Sequence, residues 1–237
     1  MQLSQTMMGM FDEIYKANIK IGSSFKPAGN GKVIMSLMIN NRTRLPMLDL
    51  KGKIQIETDE VIIQYKEALD QLNQAIPNIF ESDEKCDFMP HQQYIQKIEI
   101  TLNELTQCNG QVQLNFLNPL NSKPIEIHQP FGIYLIDQLN KLINTQKDDN
   151  DDAVETALDT IWYSTAFIRE IMAIHPAKGI EKNTTIILES HTQAQQHKIY
   201  CKISDISTDL NKVQIQFYSE DEQLTMNLIK ELNILQK

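Results

Sequence analysis

Two stretches of the chain align with each other over twenty positions without a gap. Residues 97–116 (KIEITLNELTQCNGQVQLNF) and 198–217 (KIYCKISDISTDLNKVQIQF) share five identical positions, and most others keep their apolar or polar character. In each stretch, two runs of alternating apolar and polar residues flank a polar turn. Such alternation is typical of strands with one buried face. We therefore predict that each stretch is a β-hairpin.

Internal duplication would explain this similarity, and the register without gaps favours it. Any two alternating hairpins share apolar positions, so coincidence is the alternative explanation. In either case the alternation assigns each side chain to core or to solvent, and none of these positions requires a catalytic role.

Helical spacing of apolar residues surrounds the predicted strands. Residues spaced by three and four predict helices at 5–20, 58–76, 130–143, 152–175 and 219–235. The same order, a helix followed by three strands and a helix, is predicted at the start of the chain and again after residue 152. We predict the α+β class, with antiparallel sheets, helices packed on one face, and two related helix–three strands–helix parts.

The clearest change in composition is the polar, acidic stretch NTQKDDNDD at residues 144–152. Runs of like charge are typical of solvated linkers. We predict a domain boundary there, with an N-terminal α+β domain at residues 1–146 and a C-terminal α+β domain at residues 147–237.

Composition limits the cellular setting and the class of partner. The 237 residues carry a net charge of −9, which repels phosphate backbones and argues against a nucleic-acid partner, although an acidic mimic of nucleic acid stays open. We expect no secretory leader at the N-terminus, and no apolar run is long enough to span a bilayer. The three cysteines form no CxxC pair. We expect a protein of the bacterial cytoplasm with no membrane insertion.

Searches for chemical motifs give no candidate for catalysis, metal or cofactor. The glycine-containing stretch at residues 26–33 lacks the order of a phosphate-binding loop, and the acidic run at residues 148–152 lacks the glycine of a calcium loop. His191, His197 and Cys201 are close in sequence, but zinc sites have paired ligands, and the parity of Cys201 places it in the core. An enzyme with a site assembled from dispersed residues remains an alternative.

Two apolar stretches are candidate partner-binding surfaces. The first helix carries Met7, Met8 and Phe11, and flexible thioethers suit a surface that repacks against partners. The stretch from residue 162 to residue 174 is more apolar than one core face requires. Its candidate residues are Trp162, Tyr163, Phe167 and Ile171. Filling of the protein's own core is the alternative for both stretches.

The functional hypothesis is a non-enzymatic protein that binds another protein, as an adaptor or a chaperone-like component of a larger assembly such as a secretion system. A small acidic protein with this arrangement of helices and antiparallel strands resembles secretion chaperones and adaptors in architecture, without a shared motif. A homo-oligomer is a further possible partner. An immunity or inhibitor protein that binds a toxin or an enzyme is the alternative in the same class.

Overall fold

The computed structural model describes residues 2–29, 31–58, 61–82, 85–144, 157–175, 177, 179–191 and 196–237. The molecule is mostly antiparallel β-sheet, with 53% strand and 18% helix, in three sheets. None of the helices within the described residues combines the length and the apolar character that crossing a membrane requires.

The chain forms two compact units. Unit 1 consists of Met1–Lys26, Val33–Leu102 and Gln107–Ile133, and unit 2 of Pro27–Lys32, Asn103–Thr106 and Tyr134–Lys237. The predicted boundary between residues 146 and 147 lies outside the described residues and stays a prediction.

The described residues up to Ile133 form one helix and eight strands. They are α1 (Gln2–Ala17), β1 (Ile19–Gly29), β2 (Lys32–Asn41), β3 (Leu48–Ile56), β4 (Val61–Asp70), β5 (Ala75–Ile76), β6 (Gln93–Leu102), β7 (Cys108–Leu117) and β8 (Pro124–Ile133). They form a five-stranded sheet in the order β1-β2-β6-β4-β5 and a three-stranded sheet in the order β3-β7-β8.

Side chains from both sheets of unit 1 share one apolar core. Strand β2 alternates buried and half-buried positions, so that Val33, Met35, Leu37 and Ile39 are all fully buried. Residues of β3, β6, β7 and β8 join the same cluster. Burial of one face of each strand is the main favourable contribution to the stability of such a unit.

One glycine in the three-stranded sheet is required by close packing. A Cβ on Gly110 of β7 would lie 2.5 Å from the ring of Phe131 and 2.7 Å from the carbonyl oxygen of Gln55. Because β7 is the middle strand, its neighbours on both sides are held in place by the ladder, and only glycine fits there.

The second part of the chain contains three helices and five strands among the described residues. They are α2 (Leu135–Gln138), β9 (Asn140–Asn144), β10 (Asp159–Ser164), α3 (Thr165–Ile171), β11 (Thr185–His191), β12 (Gln196–Ser207), β13 (Lys212–Tyr218) and α4 (Glu222–Leu235). The strands form one sheet in the order β10-β13-β12-β11-β9, and all the pairings are antiparallel. Leu224, Leu228, Ile229 and Leu232 of α4 belong to the core of unit 2.

The predicted fold class is wrong. The molecule is mostly antiparallel sheet, and it does not consist of helices packed on one sheet face in two related parts. The described residues up to Ile133 contain eight strands and only one helix, so the order of helix, three strands and helix does not occur there.

The predicted helix over residues 58–76 is one source of this error, because strands β4 and β5 occupy it. Its apolar residues recur at helical spacing, but three β-branched residues in a row at its start favour an extended chain. Antiparallel pairing of β4 with β6 then gives this segment its place in the sheet.

The predicted helices over residues 130–143 and 152–175 are wrong over most of their described residues. The first contains the end of β8, the four-residue helix α2 and most of β9. In the second, residues 159–164 are strand β10 and only Thr165–Ile171 is α-helix, while residues 152–156 lie outside the described part of the chain. The run Thr160, Ile161, Trp162 and Tyr163 is rich in strand-forming residues.

The two aligned stretches differ in how their strands pair. In residues 198–217, strands β12 and β13 form an antiparallel hairpin, as predicted. In residues 97–116, strand β6 lies in the five-stranded sheet and strand β7 in the three-stranded sheet, so this stretch is not a hairpin. Alternation sets which face of a strand is buried, whereas the neighbour of each strand is chosen by the rest of the chain.

Candidate functional site

Helix α1 carries four apolar side chains that the rest of the described chain leaves exposed. Met7, Met10, Phe11 and Ile14 have exposed fractions of 53%, 62%, 51% and 57%. Spacings of three and four residues place them on one face of the helix. We call this set the α1 stripe. The side chain of Met8, the third predicted residue of this helix, lies outside the described residues.

Tyr15 attaches the C-terminal part of α1 to the core of unit 1. Its side chain is 4% exposed, and its ring meets that of Phe116 edge to face at 5.6 Å. The hydroxyl donates a hydrogen bond of 2.6 Å to the carbonyl oxygen of Pro46. Burial raises the pKa of Tyr15 to about 12, so this donor keeps its proton at neutral pH. These contacts attach the C-terminal end of helix α1 to unit 1.

A cleft of about 360 Å³ adjoins the α1 stripe, and we call it the α1 cleft. Its walls include Phe11 and Ile14 of the stripe, together with Leu45 and Leu120. The remaining lining residues are Tyr15, Asn18, Arg42, Thr43, Arg44 and Asn118. Pockets of this size with mostly apolar walls and a few polar groups are typical binding sites.

Hydrogen bonds of Asn41 fix the backbone of the loop after β2, which carries the arginines of the cleft. Asn41 is fully buried, and its amide nitrogen lies within hydrogen-bond distance of the carbonyl oxygens of Leu45 (2.9 Å) and Met89 (3.1 Å). Its amide oxygen accepts from the backbone nitrogen of Thr43 at 3.1 Å. Because Asn41 and Thr43 point inward, Arg42 and Arg44 between and beside them are exposed.

The second predicted surface lies in unit 2, and its four residues differ in exposure. Trp162 is 39% exposed on strand β10, which is an edge strand of its sheet. Tyr163, the next residue, is fully buried and stacks on Phe167 with ring centroids 5.8 Å apart. Phe167 and Ile171 are partly buried against the same core. Their role in partner binding stays a prediction.

The predicted and the missed residues of the α1 cleft differ in the signal they leave in the sequence. Phe11 was predicted, and Ile14 belongs to the same helical period, so the stripe could be found from spacing alone. The pair Arg42 and Arg44, two residues apart, is visible in the sequence but has no motif. Leu120 gives no signal, because only the fold brings it beside α1.

Two side chains considered for a metal site, His197 and Cys201, have structural contacts in unit 2. The Nδ1 atom of His197 lies 2.8 Å from Oδ2 of Asp221, which caps helix α4. Cys201 is fully buried in the core of unit 2, as predicted. In the described part of the chain, no group of three or more His, Cys, Asp or Glu side chains is placed to hold a metal ion.

Comparison with known proteins gives no family for this chain. No family model matches it, and no curated protein is significantly similar to it. A FixG-related protein from Vibrio parahaemolyticus is 10% identical with a TM-score of 0.27, and the match covers 48% of this chain and 94% of that one. The YadV chaperone is 8% identical with a TM-score of 0.30, and 86% of each chain is covered. Likenesses this distant support no argument about fold or function.

Proposed function

We propose that this protein binds another protein through the α1 stripe and the α1 cleft, as an adaptor or a chaperone-like component of a larger assembly. The proposal rests on one observation: four apolar side chains on one face of α1 are each more than half exposed. Keeping apolar area in water costs about 25 cal/mol per Å². Contiguous exposed apolar surface therefore favours an interaction site.

The shape of this surface favours a macromolecular partner over a small molecule. From Met7 to Ile14 the stripe runs two helical turns, about 10 Å along the axis. Phe11 and Ile14 belong to both the stripe and the cleft, so the apolar surface continues from one to the other. Two methionines give the stripe side chains that adapt to different partner surfaces.

The test is affinity capture from the native cell with the tagged full chain, followed by quantitative mass spectrometry. We expect the wild-type chain to recover a partner in stoichiometric amount. The double variant Phe11→Ala and Ile14→Ala should recover at least about tenfold less, because the apolar anchors of an interface dominate its affinity. Both residues are exposed and alanine favours helix, so the variant should keep the wild-type circular dichroism spectrum and melting temperature.

The control is the double variant Leu72→Ala and Leu210→Ala. These leucines are 69% and 67% exposed and lie in turns away from α1 in sequence, so their truncation removes comparable apolar area. We expect the control to recover the partner at the wild-type level. Recovery of no stoichiometric partner, or equal loss in both double variants, would contradict the proposed function.

A further inference from the structure

We propose that the α1 cleft recognises a segment of the partner protein in which a carboxylate lies next to an apolar side chain, with Arg42 and Arg44 binding the carboxylate. This inference rests on the proposed function, because it names the chemistry of the segment that the cleft accepts. The apolar side chain of that segment would pack against the wall formed by Phe11, Ile14 and Leu120.

The placement of arginine in this chain is the first observation. The chain has a net charge of −9 and contains only three arginines, Arg42, Arg44 and Arg169. Two of the three line one cleft. Arginine presents a planar set of donors that matches a carboxylate in two-point contact, which a lysine does not. The cleft is thus a local cationic site in an acidic protein.

The charges of these two arginines are not used within the described chain. Neither guanidinium forms an ion pair with a described residue, although α1 carries the acidic residues Asp12 and Glu13. The carboxylate of Asp12 accepts a hydrogen bond of 2.6 Å from Asn118, and Glu13 lies 3.8 Å from Lys16. Both acidic groups of α1 therefore have other partners, and the arginines are available to an external carboxylate.

The loop that carries the arginines is ordered before any ligand binds. The side chain of Asn41 makes its contacts with buried backbone groups, and the backbone nitrogen of Arg42 donates to the carbonyl oxygen of Asn18 at 3.1 Å. Binding a carboxylate there needs little further ordering of the backbone, so less of the interaction is lost to conformational entropy.

The combination of charge and apolar surface defines the ligand class. An acidic group alone would gain little at an exposed arginine pair, because water and salt screen it. An apolar side chain beside the carboxylate would exclude water from the contact and fill the cleft. The net charge of −9 repels strongly acidic partners at long range, so the segment should carry one or two carboxylates within a neutral or basic surface.

The test begins with selection from a displayed library of random peptides about twelve residues long, with the full chain as the target. We expect the enriched peptides to carry Asp or Glu within a few residues of Leu, Ile, Met or Phe. The dissociation constant of the most enriched peptide is then measured by fluorescence anisotropy, and it should rise as salt is raised from about 0.05 M to about 0.5 M.

Matched variants assign the binding to the arginines. The double variant Arg42→Ala and Arg44→Ala should raise the dissociation constant of the selected peptide about tenfold or more. The variant Arg42→Lys with Arg44→Lys should recover only part of the lost affinity. The control is Lys51→Ala with Lys53→Ala, which removes the same charge from two exposed cations of strand β3, also two residues apart. It should leave the dissociation constant unchanged.

The outcomes separate this inference from the proposed function. If enriched peptides lack acidic residues and lose affinity only in the variant Phe11→Ala and Ile14→Ala, the inference fails while the apolar binding surface stands. The inference is also overturned if no peptide is enriched. The same holds if binding changes neither in the variant Arg42→Ala and Arg44→Ala nor in the variant Phe11→Ala and Ile14→Ala. Direct binding of decanoate that depends on both arginines, without any enriched peptide, would assign the cleft to a small carboxylate and also overturn the inference.

Discussion

A single buried carboxylate, that of Glu231, holds the start of helix α2. Glu231 is 4% exposed, and its two oxygens accept from the backbone nitrogens of Leu135 at 2.8 Å and Ile136 at 3.1 Å. Burial raises the pKa of this carboxyl above its ordinary value, and the two hydrogen bonds offset only part of the effect. The negative charge of nearby Asp137 raises it further.

The raised pKa of Glu231 predicts a specific dependence of stability on pH. Between the ordinary carboxyl pKa and the raised one, the folded state binds more protons than the unfolded state, so the free energy of unfolding falls as pH rises. We expect wild type to lose stability relative to Glu231→Gln as pH rises above the ordinary carboxyl pKa of about 4.3. Urea unfolding followed by the fluorescence of Trp162, the single tryptophan and a residue of unit 2, measures this difference. Parallel pH profiles for the two proteins would contradict the prediction.

At the scale of one element, the N-terminus of helix α4 shows how a contact with a neighbouring strand can change which residue caps a helix. Ser219 and Glu222 have the spacing of a capping box, but Ser219 is not the cap of this helix. Asp221 is the N-cap, and its Oδ1 accepts from the backbone nitrogen of Leu224 at 3.0 Å. The hydroxyl of Ser219 donates instead to the carbonyl oxygen of Lys198 on β12, at 2.7 Å.

This assignment predicts that Asp221→Ala destabilises unit 2. The substitution removes the cap of α4 and the contact of 2.8 Å with His197, and we expect a loss of about 1 to 2 kcal/mol in the free energy of unfolding. Asp221→Asn should lose less, because asparagine also caps helices. Glu220→Ala, at the exposed neighbouring position, should be within about 0.5 kcal/mol of wild type. Equal losses at Glu220 and Asp221 would exclude the cap. Urea unfolding followed by Trp162 fluorescence measures all three variants.

At the scale of the whole molecule, the three cysteines lie in both units and differ in how deeply they are buried. Cys108 and Cys201 are buried in units 1 and 2, with exposed fractions of 6% and 0%, and Cys86 is half-buried. Burial raises the pKa of all three thiols, which lowers the reactive thiolate fraction at neutral pH. None of them forms a disulfide.

The rate at which each thiol reacts therefore tests whether the two cores exclude solvent. With Ellman's reagent at neutral pH, we expect Cys86 to react slowly in the native protein, and Cys108 and Cys201 to react only after unfolding in urea. The variant Cys86→Ser should remove the native reaction and leave two thiols in the unfolded chain. Rapid reaction of more than one thiol in the native protein would contradict the burial of the two cores.

Several features follow from short-range patterns and were predictable. Helix α1 lies within three residues of its predicted bounds at each end, and Leu224, Leu228 and Leu232 of α4 are buried, as their spacing indicates. The alternation in residues 198–217 gives both the strands and the hairpin. Phe11 was among the candidate binding residues for the same reason, because a helical period is visible without knowledge of the fold.

The sequence by itself determined where apolar side chains alternate, which face of each strand is buried, and where an apolar stripe lies on α1. Only the tertiary structure decided that β6 and β7 enter different sheets, that residues 61–70 are a strand, and that Arg42 and Arg44 line a cleft with Leu120. The physical reason is range. A periodic pattern acts between residues a few positions apart, whereas strand pairing and cleft formation depend on contacts between distant residues, and the same alternation fits more than one neighbour.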